Sequence, residues 1–247
     1  MILSRIWDYQ LPFRHYRAVN ALQPAVYQGL ASRFSALLEA SAAGRDGHPR
    51  FAQTNANYDA RILGVDEELA RAFAPLFSME LIDELHELFG LPFLPLIDGA
   101  LHSSPAGSRT GWIHTDLCAA WFDESVRPAG PFLFPRRDRC DYFTGSPKDP
   151  AAQPKKYVRA AALLYYLCND GWAPGDGGET ALYGTEHPSS RSKVAQVPPL
   201  SNSLVAFECS PHSYHRFITN PRRVRNSVIL WIHATPEVME SRWGISF

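Results

Sequence analysis

Apolar residues recur at helical spacing through Val26, Leu30, Phe34, Leu37 and Leu38, with Pro24 near the start and Gly44 beyond the end, the pattern of an amphipathic helix. A second helical pattern follows Asp66. A third runs from Ser78, a good N-cap, through Leu81, Ile82, Leu85, Leu88 and Phe89 to a terminating Gly90. The first ninety residues therefore read as helical support. From Leu91 the texture changes to short β-type runs separated by Gly, Pro, Asn and Ser. The predicted strands are 93–97, 111–115, 159–167, 179–183, 203–208, 214–218 and 226–233. Many short strands in one half of a chain predict a sandwich or jelly roll.

Composition narrows the class. With 45% hydrophobic and 20% charged residues in 247, the chain is an ordinary globular one, long enough to bury a core without disulfide or metal staples. One domain over 1–247 is expected, with 1–90 supporting a 91–247 core. A formal net charge of −1 lacks the basic footprint of a nucleic-acid binder. Charges at Arg5 and Asp8 come too early for a signal peptide. The apolar run 160–168 is about half a membrane span. Cys118, Cys140, Cys168 and Cys209 follow no zinc or redox spacing. A soluble, cytoplasmic protein with reduced cysteines is expected. Segment 127–159 stands apart: eight basic and three acidic residues give it +5, leaving −6 elsewhere. Proline-rich and without periodicity, it reads as a long inserted loop.

The candidate chemistry begins at Gly111-Trp-Ile-His-Thr-Asp116. On a strand, His114 and Asp116 project from one face and can reach one metal ion. Alone this triplet is a weak signal, since it also arises as a surface hydrogen-bonded pair. His215, in Tyr214-His-Arg-Phe217, can complete a two-histidine, one-carboxylate set, which suits non-haem iron(II) and leaves positions open. His212 lies three residues earlier, so strand parity cannot present both histidines to one metal. Ten residues after His215 comes Arg225, with Ser227 on the same strand face, a good receptor for a carboxylate. Val228, Leu230 and Ile232 are apolar and face the helices; by parity Arg225, Ser227 and Trp231 point inward. A buried, unpaired arginine is costly unless an anion meets it. Arg223 shares that parity and competes for the role. His102, His187 and His233 have no partner spacing and read as loop or packing residues. Trp112 and Trp121 flank the metal segment, as pocket lining or as packing.

In this order and spacing, these residues resemble the iron(II)/2-oxoglutarate-dependent oxygenases, and within them the prolyl-4-hydroxylase-like branch. Residues 162–183, with Tyr165-Tyr166, an acidic turn and Gly177-Gly178, look like that branch's central hairpin, and Val197-Pro-Pro-Leu-Ser-Asn-Ser-Leu-Val-Ala-Phe207 resembles its next strand. The similarity covers roughly 94–235, and several motifs in order are far more specific than one. It implies a mainly β (α+β) fold, a cupin-like double-stranded β-helix with supporting N-terminal helices. It implies Fe(II) on His114, Asp116 and His215, with 2-oxoglutarate chelating the metal and held at its far carboxylate by Arg225. Ser227 and Tyr166 would add hydrogen bonds, and Trp231 would pack beside the cosubstrate. O2 is the co-reactant, 2-oxoglutarate leaves as succinate and CO2, and ascorbate is an accessory common in the group. Related halogenases have a small residue at the carboxylate position, so Asp116 favours hydroxylation or another oxidation.

The insert is longer than in the prolyl hydroxylases. This points to a small-molecule substrate, an amino-acid derivative or natural-product intermediate, with Arg136, Arg137 or Arg139 on a lid binding its carboxylate or phosphate. A solvated loop is the plainer reading of that segment. The alternatives are a peptidyl, prolyl-type hydroxylase and a non-redox, cupin-like binding protein.

Overall fold

The computed structural model describes residue 3 and residues 5–42, 51, 53–54, 59–189, 192 and 194–247. Gly44, the expected end of the first helix, lies outside them. That helix, α1, spans Pro24–Ala42. The next, α2 (Glu67–Ala72), is capped by Asp66, whose side chain accepts from the Leu69 amide. A third, α3 (Met79–Phe89), is capped by Ser78 and stopped by Gly90 at φ 65°, a conformation that costs glycine nothing. Its residues Leu81, Ile82, Leu85 and Phe89 are buried, the stripe expected of a helix lying on a sheet. A short helix, α4 (Pro236–Trp243), follows a Thr235 cap.

The strands are β1 (Ile6–Tyr9), β2 (His15–Val19), β3 (Gln53–Thr54), β4 (Arg61–Gly64), β5 (Leu94–Ser104), β6 (Ala119–Asp123), β7 (Pro154–Tyr166), β8 (Thr180–Tyr183), β9 (Val194–Val197), β10 (Ser203–Glu208), β11 (Tyr214–Phe217) and β12 (Arg225–Ala234). The larger sheet runs β1-β2-β10-β7-β12-β5-β4-β3, with β6 also on β7; the smaller runs β11-β8-β9. Among the described residues these strands pair antiparallel throughout. Alternation along β7 shows how the layers form. Ala161, Leu163, Tyr165 and Leu167 join the helix-side cluster with Phe73, Leu81 and Leu85. Ala162, Leu164 and Tyr166 join Leu182 and Val197 of the smaller sheet. Two facing sheets backed by helices form the double-stranded β-helix. No helix among the described residues is long and apolar enough to cross a membrane.

Three expectations are corrected. The first ninety residues contribute strands as well as helices: β2 pairs with β10, almost two hundred residues later, a partnership no local pattern reports. Segment 111–115 is no strand; it makes one isolated bridge, His114 with His215. The insert ends sooner than its composition suggests, because its last six residues are the start of β7, against which β6 packs.

Candidate metal and cosubstrate site

The chain between β5 and β6 returns along β11. Gly111 N donates to Phe217 O at 3.0 Å, and His114 and His215 exchange backbone hydrogen bonds of 3.1 and 2.8 Å. This pairing sets the two imidazole centroids 4.4 Å apart. Each ring's Nδ1 faces a carbonyl, that of Trp112 for His114 at 3.2 Å and that of Ser213 for His215 at 3.3 Å. With Nδ1 turned to a carbonyl, each ring presents its Nε2 to the site. Asp116 completes the group: Oδ2 lies 3.3 Å from His215 Nε2 and Oδ1 3.9 Å from His114 Nε2. One ligand atom from each of the three lies within 4.8 Å of the others. His212 is exposed and outside this group.

Burial alone would raise the Asp116 carboxyl, but His215, then Arg159 and His114, hold it below the usual carboxylate range. Desolvation, with His215 adding to it, lowers His114. Two imidazoles and one carboxylate converge here, the donor set a first-row divalent ion such as Fe(II) takes. The residues present therefore fit the metal.

Arg225 lies deeper in the same pocket, which is also lined by Leu164, Thr180, Phe217, Ile229 and Trp231. It is 3% exposed. Its Nη1 donates to Ser227 Oγ and its Nη2 to Thr180 Oγ1, both at 3.1 Å. Tyr166 donates to the same Thr180 oxygen at 2.7 Å, and the Tyr166 and Phe217 rings lie 5.1 and 5.3 Å from Cζ. Buried Nε has no hydrogen-bond partner, and no carboxylate among the described residues pairs with the guanidinium. A buried cation with a spare donor calls for an anion. Thr180, which orients both Arg225 and Tyr166, was not foreseen; nothing local in the sequence marks it. Arg223 is no competitor, since its Nε donates to Asp176 at 2.8 Å and its side chain is half exposed.

The turn before β8 closes this end. At Gly177 φ is +77°, and a Cβ would lie 2.0 Å from the Thr219 carbonyl oxygen and 2.8 Å from Pro221 Cδ. Backbone cannot step aside as a side-chain tip can. Gly177→Ala is expected to cost more than about 3 kcal/mol, read as a Tm drop of roughly 6 °C or more in thermal unfolding; an unchanged Tm refutes the packing.

The remaining candidates are placed as follows. Trp112 is 61% exposed and meets the His114 ring edge-on at 6.4 Å. Trp121 sits under Lys156 and against Gly145, in the insert's packing. His102 is buried across from Ser227, held neutral at about 3 by burial and by Arg225. His187 is an exposed loop residue. Trp231 lines the pocket, its ring 4.1 Å from Arg159 Cζ.

The arginines of the insert have partners within the fold. Arg136 pairs with Asp138 at 3.2 Å and Arg137 with Asp98 at 2.9 Å. Arg139 bonds to Asp123 and, at 2.6 Å, to Asp149. Arg159, counted in the sequence only as part of the basic segment, instead enters the site: its Nη1 is 3.6 Å from Asp116 Oδ1.

Comparisons with known proteins agree with this geometry. Residues 132–233 match the family model described as the 2OG-Fe(II) oxygenase superfamily. No match was found among curated proteins. Among solved structures, a Pseudomonas putida prolyl-4-hydroxylase is 18% identical, with TM-score 0.53, over 88% of this chain and 91% of that one. A Trichoplax adhaerens prolyl hydroxylase, in complex with a hypoxia-inducible-factor peptide fragment, is 17% identical with TM-score 0.53, over 88% and 82%. These likenesses establish the fold. The family match contains His215 and Arg225 but begins after His114 and Asp116, so the grouping of those two with His215 rests on the geometry above.

Proposed function

We propose that this protein, a 2OG-Fe(II) oxygenase, is a prolyl-type hydroxylase of polypeptide substrates, with Fe(II) on His114, Asp116 and His215 and 2-oxoglutarate on Arg225. The observation that carries the site is the convergence of three ligand atoms within 4.8 Å in one pocket with a buried, unpaired guanidinium. Fe(II), 2-oxoglutarate and O2 would supply the oxidising chemistry there, 2-oxoglutarate leaving as succinate and CO2. The chain's own residues do the rest. Arg225 would take the cosubstrate's far carboxylate, with Ser227 and Thr180 fixing the fork and Tyr166 fixing Thr180. Leu164, Phe217 and Ile229 keep that end dry, so the charge-assisted pair is not screened by water. Trp231 would pack beside the cosubstrate. We place the activity in the cytoplasm, with 1–247 acting as one domain.

Two features favour a peptide over a small molecule. Two solved structures of similar fold are prolyl hydroxylases, one of them in complex with a peptide fragment. The small-molecule reading rests on the length of the insert, and the arginines that would have gripped such a substrate, Arg136, Arg137 and Arg139, pair with Asp138, Asp98, Asp123 and Asp149. The rim offers apolar rests instead: Trp112 against His114, and Phe143, 59% exposed and 5.7 Å from Arg159 Cζ. Exposed aromatic faces are common seats for proline-containing segments. The non-redox binding-protein alternative falls with the family match.

The test is succinate formation and mass spectrometry with an oligoproline peptide, beside a panel of free amino acids and their derivatives. Peptide gaining one oxygen atom per succinate supports the proposal; turnover with the small-molecule panel alone returns the reading to a small-molecule hydroxylase. Phe143→Ala should raise peptide KM roughly tenfold and leave 2-oxoglutarate affinity unchanged. An unchanged KM removes Phe143 from the substrate path.

A further inference from the structure

Strand parity from Leu163 and Tyr165 would turn Arg159 toward the helices. It does not go there, because β7 carries a bulge: Ile232 pairs with Ala161, but His233 pairs with Arg159, leaving Ala160 as the extra residue. A bulge of this kind re-aims a side chain. Arg159 thus enters the interior beside Asp116, where it is held on several sides. Nε donates to Tyr142 Oη at 3.0 Å, and Nη2 to Asp98 Oδ2 at 3.1 Å. Asp98 also takes Arg137 at 2.9 and 3.0 Å. The Tyr142 hydroxyl is itself fixed. His233 Nδ1 bonds to the Leu96 carbonyl at 2.9 Å, so its Nε2 accepts from Tyr142 at 2.8 Å. Arg159, Tyr142, Asp98 and His233 are all buried.

The outcome of this tethering is a gap. Arg159 Nη1 stops 3.6 Å from Asp116 Oδ1, beyond hydrogen-bond length. A guanidinium free to move would close a bidentate fork on that carboxylate and occupy the oxygens a metal needs. We propose that Tyr142, supplied by the 127–159 insert, is a positioning residue that restrains Arg159 and so keeps Asp116 available as a metal ligand. Asp98 acts as the second tether. The insert is on this view a strut for the metal site. The inference rests on the metal site proposed above.

The test is Mn(II) binding to the full chain, measured by electron paramagnetic resonance of the free ion, which needs neither cosubstrate nor turnover. Tyr142→Phe, which removes one oxygen, should raise the Mn(II) Kd about tenfold or more, the usual scale for a partner of a metal ligand. Asp98→Asn should shift it the same way. Adding Arg159→Gln to Tyr142→Phe removes the competing cation and should restore tight binding, a result that general loosening of the site would not give. Circular dichroism and Tm show that each variant is folded. Wild-type protein that binds no Mn(II) refutes the metal site itself. Normal Mn(II) affinity in Tyr142→Phe, or a double variant no tighter than Tyr142→Phe, refutes the role given to Tyr142 while leaving the site standing.

Discussion

Asp116→Ala is expected to abolish metal binding, and by more than the loss of one ligand implies. The carboxylate is the sole anion within the His114, Asp116 and His215 group, and Arg159 Nη1 lies 3.6 Å from it. Deleting the carboxylate leaves a buried guanidinium facing two imidazoles. A unit charge about 4 Å away is worth about 4 kcal/mol at an effective dielectric near 20. Losing that attraction alone weakens binding on the order of a thousandfold, and the uncovered arginine adds repulsion. Asp116→Asn keeps the volume and loses the charge, so it separates electrostatics from packing and should fail almost as completely. Anaerobic calorimetry with Fe(II), or with Mn(II) in air, reads the result. Binding within tenfold of wild type in Asp116→Ala would remove this residue from the metal site.

How far these residues were legible depended on how local their causes are. The caps of α2 and α3 are written in a few adjacent residues, so Asp66, Ser78 and Gly90 marked them correctly. Strand β10 matches its apolar run because both of its faces are buried. His215, Arg225 and Ser227 were readable because one strand and a fixed spacing join them. The misses share a different origin. Segment 111–115 was given the right inward direction for the wrong reason, since it leans on β11 through one bridge without forming a strand. Thr180 gains its role only from Arg225 and Tyr166, which approach it across the fold. Arg159 was hidden by parity, which fails at a bulge that the sequence does not announce. The partners of the insert's arginines were not legible because net charge records that cations are present, not that Asp98, Asp123 and Asp149 pair with them.

Arg225→Ala separates the cosubstrate from the metal. The guanidinium makes no ion pair or hydrogen bond with His114, Asp116 or His215; its partners are Ser227 and Thr180. Metal affinity should therefore stay near wild type while 2-oxoglutarate affinity falls on the order of a thousandfold, the scale for a buried charge pair with one partner deleted. Arg225→Lys keeps the charge but loses the planar fork that reaches both hydroxyls, so its loss should be intermediate. Stability gives an independent reading. Without cosubstrate, wild type carries a buried guanidinium whose Nε has no partner, a cost that alanine removes. Against this stands the packing of its stem and of the Tyr166 and Phe217 rings. The variant's Tm should fall by less than an ordinary buried large-to-small change would produce. Saturating 2-oxoglutarate with Mn(II) should raise wild-type Tm, since ligand at about a hundred times Kd adds about 2.7 kcal/mol. In Arg225→Ala that increment should vanish, with the Mn(II) contribution intact. If 2-oxoglutarate still stabilised the variant as it does wild type, the far carboxylate would have to be held elsewhere, and Arg225 would lose its place in the site.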